Sequence, residues 1–244
     1  MDKEQDIVRF LPCGDTAFSM ELGEGIDRDT NARVIALYKK AQDDGISGIV
    51  AMSPTFRSLL VQFDPDMVHP KDLEQKFLSL LDGLDSTAAP GRHWRLPMCY
   101  DGEFGPDLAD VARQTGLSTG EIRRLHAGQD YFIYMMGFLP GYAYMGDLPK
   151  PIRVPRRQTP RTRLPRGSVA IAGELTSAYP LESPGGWNLI GRTPVPLFDP
   201  ARDVPVLLAP GDLVTFEPVS EKDFASLERD IASGAYVAQP ESLA

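Results

Sequence analysis

The sequence predicts a small α+β domain followed by a β-barrel. Three observations carry that expectation. Residues 1–90 interleave two helical periods with strand-like runs. The texture changes after "DSTAAPGR" (Asp85–Arg92), the best linker in the chain. Beyond it, short β-rich runs follow one another between turn residues, the pattern of a small barrel. The expected boundaries are 1–90 for the first domain, 91–222 for the barrel and 223–244 for a C-terminal helix and tail.

In the first domain, an apolar run near Ile7–Leu11 and the alternating Thr16–Leu22 read as strands. Asp27 to Asp44 places Val34, Leu37, Tyr38 and Ala41 on one helical face. Ser58–Phe63 reads as a buried strand. A second helix begins after His69, with Pro70 suited to the first helical position. Its stripe is Leu73, Phe77, Leu80, Leu81 and Leu84. Helices and strands in this order give an α+β sandwich, with both helices on one sheet face.

After the linker come two short helices, Pro106–Thr115 and Ser118–Ala127. The second opens with the capping pair Ser118 and Glu121 and closes at Gly128. "YFIYMM", "SVAIAG", "PVLLA" and "LVTFEP" then read as barrel strands, and Phe224, Leu227 and Ile231 mark the last helix. Tyr179–Pro200, "YPLESPGGWNLIGRTPVPLFDP", has neither helical period nor clean strand alternation, and reads as a long shaped loop of the functional kind.

Composition narrows the function. With 42% hydrophobic and 24% charged residues over 244 positions, the chain is ordinary globular protein. A net charge of −9 argues against a nucleic-acid or anionic-membrane surface. The first ten residues lack an apolar signal core, and no run is long enough to span a bilayer. Cys13 and Cys99 lie far apart without metal or redox spacing, which favours two reduced thiols and a cytoplasmic setting.

Four segments could carry chemistry. Asp107–Leu125 has a helix-turn-helix look, but offers only Arg123 and Arg124 for phosphates, so the structural reading prevails. Lys150–Arg166, "KPIRVPRRQTPRTRLPR", holds seven Lys or Arg in seventeen residues and no acid. Its Pro-Arg pairs recur every five residues, bracing an extended arm whose guanidinium forks suit carboxylate or phosphate. The alternative is a solvated edge, or an arm docked on an acidic patch. Met136–Pro149, "MGFLPGYAYMGDLP", combines turn glycines with Phe138, Tyr142 and Tyr144, walls for a small flat molecule or simply core. His126, at the end of the second short helix, is open to proton transfer or to a structural role, and the helix dipole there favours its charged form. No dinucleotide fingerprint, P-loop, nucleophile elbow, HExxH or metal cluster is present, so no metal site is expected.

"CGDTAFSMELG", "SPTFRSLLVQFDP", "GFLPGYAYMGDLP", "VPRRQTPRTRLPRGSVAIAG", "SPGGWNLIGRTPVPLFDP" and "LLAPGDLVTFEPV" occur in that order. Together they closely resemble the allophanate hydrolase subunit 1, or Kip inhibitor (KipI), family, over about Asp6 to Val219. The resemblance implies a cyclophilin-like β-barrel domain after the α+β one. It implies a component of an ATP-dependent 5-oxoprolinase, inactive alone, that opens the lactam of 5-oxoproline to glutamate. ATP with Mg²⁺ follows as cofactor. Partners follow too: a homologous second barrel protein (the C component, KipA-like) and a third oxoprolinase subunit.

The residues expected to serve such a reaction are Arg156, Arg157, Arg161, Arg192 and Thr176 for anions and substrate, with His126 for proton transfer. Phe138, Pro140, Gly141, Tyr144, Gly185, Gly186 and Trp187 are expected in the pocket loops, and the Arg strip is expected to share their cleft. One departure stands out: "AGELTSAYP" (Ala172–Pro180) carries Leu175 where the family pattern has Gln, with Ser177 and Ala178 also altered. Loss of that amide bears on ligand recognition rather than on fold. Two other roles fit the same resemblance: a binding module that inhibits a histidine kinase, and half of a urea-degrading carboxyltransferase.

Overall fold

The computed structural model describes residues 8–84 and 91–241. Most of the linker stretch, 85–90, and Ile7 of the first expected strand lie outside the described residues. The chain divides into two compact units, Met1–Pro90 and Gly91–Ala244.

In the first unit, strands β1 (Arg9–Pro12), β2 (Ala17–Glu21), β3 (Ile49–Pro54) and β4 (Ser58–Phe63) form an antiparallel sheet in the order β1-β2-β4-β3. Helices α1 (Arg28–Asp43) and α2 (Pro70–Asp82) complete it. Asp27 caps α1 by accepting from the Thr30 N–H, and His69 caps α2 through Lys71 N–H, with Pro70 in its first turn. Strand alternation sends Phe18, Met20, Leu59, Val61 and Phe63 to the face that meets Val34, Leu37, Leu73 and Phe77. One buried face per layer yields the two-layer sandwich that the periodicities require.

The second unit is a mixed α/β fold built on a large sheet. Its strands are β5 (His93–Met98), β6 (Asp130–Met136), β7 (Ala143–Met145), β8 (Arg161–Leu164), β9 (Ser168–Ala172), β10 (Leu175–Ala178), β11 (Ser183–Gly185), β12 (Asn188–Arg192), β13 (Leu213–Pro218) and β14 (Pro240–Glu241). Eight of these pair in the order β12-β9-β10-β7-β6-β13-β5-β14, and β8 pairs with β11. Among the described residues only the β5–β13 ladder is parallel. Just beyond β5, Cys99 and Arg192 exchange two backbone hydrogen bonds of 2.8 Å, tying the end of β5 to β12. Helices α3 (Leu108–Thr115), α4 (Thr119–Ala127) and α5 (Glu221–Ala232) complete the unit.

Two expectations need correction. Tyr179–Pro200 is not one long loop, because Asn188–Arg192 is a strand paired with β9. Its side chains sit on a two-sided interior, so the polar/apolar alternation that marks a half-exposed strand is missing. "PVLLA" (Pro205–Ala209) is not a strand. Pro205 lacks an N–H, and only the single bridge Phe198–Val206 forms there. Ser118 and Glu121 do form a reciprocal capping box on α4, and Gly116 ends α3 in the left-handed region at φ 74°. Arg123 of α4 pairs with Asp101 and lies over the Tyr100 ring, so it serves the fold. Among the described residues no helix is long and apolar enough to cross a membrane.

Candidate functional site

The loop joining β6 to β7 turns tightly. The Gly137 N–H donates to the Tyr142 carbonyl (3.1 Å), and Tyr142 N–H to that of Leu139 (3.0 Å). Phe138 is held at φ 65°, a conformation that costs a non-glycine residue energy, and its side chain is 60% exposed. Gly141, at φ 82°, lets the chain pass where a Cβ would meet that of Phe198 at 2.9 Å.

This turn presents its aromatics to the β11–β12 region. A cavity of about 240 Å³ opens between them, lined by Phe138, Tyr144, Arg156, Gly185, Gly186 and Trp187. The rings meet edge to face: Phe138 and Tyr142 centroids are 5.4 Å apart, and Tyr142 and Tyr144 4.9 Å. Tyr142 and Tyr179 close the inner wall at 5.0 Å. Such T-shaped pairs are a favoured arrangement of aromatic rings. Burial raises the pKa of Tyr144, and the nearby Arg156 charge opposes the rise. Gly185 is required for shape, since a Cβ there would lie 2.4 Å from Leu164 Cδ1 and 2.6 Å from the Tyr179 hydroxyl.

The arginine strip divides. Arg156 is exposed, lines the cavity, and has no ion-pair partner among the described residues. Arg157 and Arg161 turn inward to Asp107. Its carboxylate accepts from Arg157 Nη1 (2.7 Å), Arg161 Nη1 (2.7 Å) and Nη2 (2.6 Å), and the Leu189 N–H (2.7 Å). Their expected role as free anion-binding cations is therefore corrected: they brace the strip. Arg192 stands elsewhere, its guanidinium 5.2 Å from the Phe104 ring centre. Pro140 and Gly141 shape the turn without lining the cavity.

His126 is also corrected. It is fully buried and stacks 5.1 Å from Phe216, away from the cavity. Thr176 Oγ1 donates to the Ala170 carbonyl (3.1 Å), so it accepts from His126 Nε2–H (3.0 Å). Nδ1 then accepts from the Tyr100 hydroxyl at 2.8 Å. Both ring nitrogens are thus spent, and desolvation pushes the pKa down from 6.5 to about 3, overriding the helix dipole. Thr176 serves this buried chain and not a ligand. Leu175, at the altered family position, packs partly buried against the aromatic cluster.

Sequence reasoning missed Asp107. An aspartate just before a helix reads as an N-cap, yet its side chain makes no capping bond to α3. The acidic patch weighed above as a dock for the arm is the signal the sequence carried, and it named no residue.

Residues 8–208 match the family described as the carboxyltransferase domain, subdomains C and D. The chain belongs to this family. Among its carboxyltransferase-domain relatives, the 5-oxoprolinase B subunit of Bacillus subtilis is 37% identical over 228 residues, covering 89% of this chain and 95% of that one. The 5-oxoprolinase B subunit of Haemophilus influenzae is 43% identical over 213 residues, 86% of this chain and 97% of that one. The crystal structure of the K. lactis urea amidolyase has the same carboxyltransferase-domain fold. Its TM-score is 0.82 at 22% identity, with 96% of this chain and 16% of that one aligned.

Proposed function

We propose that this chain is the B subunit of a 5-oxoprolinase, which opens the lactam of 5-oxoproline to glutamate at the expense of ATP. The observation that carries this reading is the 43% identity to a 5-oxoprolinase B subunit over nearly its whole length. The aromatic cavity gives it a physical counterpart. Edge-to-face rings suit a small flat ring, and the free Arg156 fork suits the carboxylate that such a substrate bears. In this reading the aromatic walls exclude water from the lactam while Arg156 fixes its orientation.

ATP, when bound, supplies the phosphoryl group that makes the lactam oxygen a better leaving group. The residues present do not fit a dedicated Mg²⁺ cage. The cavity walls hold no carboxylate, and no three His, Cys, Asp or Glu side chains cluster among the described residues. We assign no step to the metal. With His126 enclosed, this chain offers no proton-transfer group at the cavity from the expected set, which is in keeping with a protein inactive alone. We read the partners as a homologous second barrel protein (the C component) and a third oxoprolinase subunit, and the location as cytoplasmic. We also read the second unit as a cyclophilin-like barrel. The Cys99–Arg192 bridge supports closure, because it joins strands far apart in the sheet order.

The test is co-expression with the two partner proteins and assay of 5-oxoproline-dependent ATP hydrolysis. Activity that needs all three chains supports the reading. No activity, together with tight binding to a sensor histidine kinase, replaces it with the regulatory one.

A further inference from the structure

Arg156 stands on the boundary between two hollows. Beside the aromatic cavity lies a second one of about 380 Å³, lined by Gln114, Arg156, Arg157, Gln158, Thr159 and Asn188. The residues that line it carry two guanidiniums, three amides and a hydroxyl, and no carboxylate. Asn188 anchors one wall, its Nδ2 donating to the carbonyls of Pro155 (2.9 Å) and Ile171 (3.2 Å).

The charge balance favours an anion. Arg157 and Arg161 share the one carboxylate of Asp107, so that cluster keeps a net positive charge. Arg156 adds a second positive charge that no carboxylate among the described residues neutralises. The arm that carries these groups is pre-ordered: Pro155 and Pro160 fix φ, and the Arg157 N–H donates to the Gly186 carbonyl at 2.8 Å. A pre-ordered arm loses little entropy when an anion binds.

We propose that this second cavity is an oxyanion subsite that takes a phosphate or carboxylate group, with Arg156 shared between it and the aromatic cavity. The ligand class is then a small ring bearing, or lying beside, an oxyanion. The oxyanion half stands on the cavity's own residues, while the ring half rests on the substrate reading above.

The experiment titrates inorganic phosphate and acetate separately into the full chain, alone and with its partner proteins, at constant ionic strength by calorimetry. Saturable binding of either supports the subsite. Phosphate alone assigns it to phosphoryl groups, acetate alone to carboxylates. Gln158→Glu places a carboxylate in the polar cavity without touching the aromatic walls, and it should weaken binding at least tenfold with an unchanged melting temperature. Absence of saturable binding by both anions, or undiminished binding in Gln158→Glu, overturns the proposal. An active three-protein complex with no anion binding sinks this subsite alone. Anion binding with an inactive complex sinks the oxoprolinase reading alone.

Discussion

Asp107 grips Arg161 at two points, Nη1 to Oδ2 at 2.7 Å and Nη2 to Oδ1 at 2.6 Å, on a carboxylate only 2% exposed. The pair ties the N-terminal end of α3 to β8, and Arg157 joins it from the same arm. Removing one member of a buried pair strands the other charge, at a cost of about 3–5 kcal/mol when burial is complete. The two arginines keep 28–29% of their side-chain exposure, which softens that penalty. Asp107→Asn should therefore destabilise the protein by about 2 kcal/mol, read as a lowered urea midpoint. An unchanged midpoint would show that the arm is held by its prolines alone.

Arg156 and Arg161 should behave oppositely. Arg156→Ala removes an exposed, unpaired side chain, so stability should shift by no more than about 0.5 kcal/mol. In the reconstituted complex the KM for 5-oxoproline should rise at least tenfold. Arg161→Ala should instead lower the melting temperature first. Equal effects of the two on stability would contradict the division of the strip.

His126 sets a pH dependence whose sign follows from its depressed pKa. The unfolded chain takes up a proton near pH 6.5 that the folded chain refuses until about pH 3. Its contribution is intact above 6.5 and drains away as pH falls toward 3, by at most about 1.4 kcal/mol per unit. His126→Phe should flatten the loss of stability between about pH 6 and pH 4, in urea titrations at each pH, whatever its effect at neutrality. A slope equal to wild type would mean that carboxylates alone set the acid limit.

Thr176 should discriminate between isosteric and hydroxyl-retaining changes. Thr176→Val leaves the His126 Nε2–H without an acceptor in the interior, a loss of about 1–3 kcal/mol. Thr176→Ser keeps the oxygen and should cost clearly less. Chemical denaturation of the pair measures the difference, and equal losses would deny the hydrogen bond its role.

Gly185 shapes the aromatic cavity by having no side chain. Gly185→Ala forces a methyl against Leu164 and the Tyr179 hydroxyl, an overpacking of about 1–3 kcal/mol. Differential scanning calorimetry should show the lowered midpoint, and a crystal structure of the variant should show Tyr179 displaced. Wild-type stability with Tyr179 unmoved would refute the fit.

Much of the architecture was legible because its signals are local. Helix α4 is announced by Ser118, Glu121 and Gly128 within eleven residues, and α2 by Pro70 and its leucine stripe. Phe138, Tyr144, Arg156, Gly185, Gly186 and Trp187 line one cavity, whereas Pro140, Gly141, Arg157 and Arg161 of the expected grouping do not. The buried strand Asn188–Arg192 was not legible, because burial on both sides erases the alternation that reveals a strand.

By itself, then, the sequence determined the helices, their caps and the stiff basic arm, since these depend on neighbours within a few positions. Only the tertiary structure decided which arginine stays free and that both nitrogens of His126 are spent inside the core. Asp107 reaches Arg157 and Arg161 across fifty and fifty-four positions, and Thr176 reaches His126 across fifty. Charge neutralisation and desolvation act through space, so no local pattern along the chain encodes them.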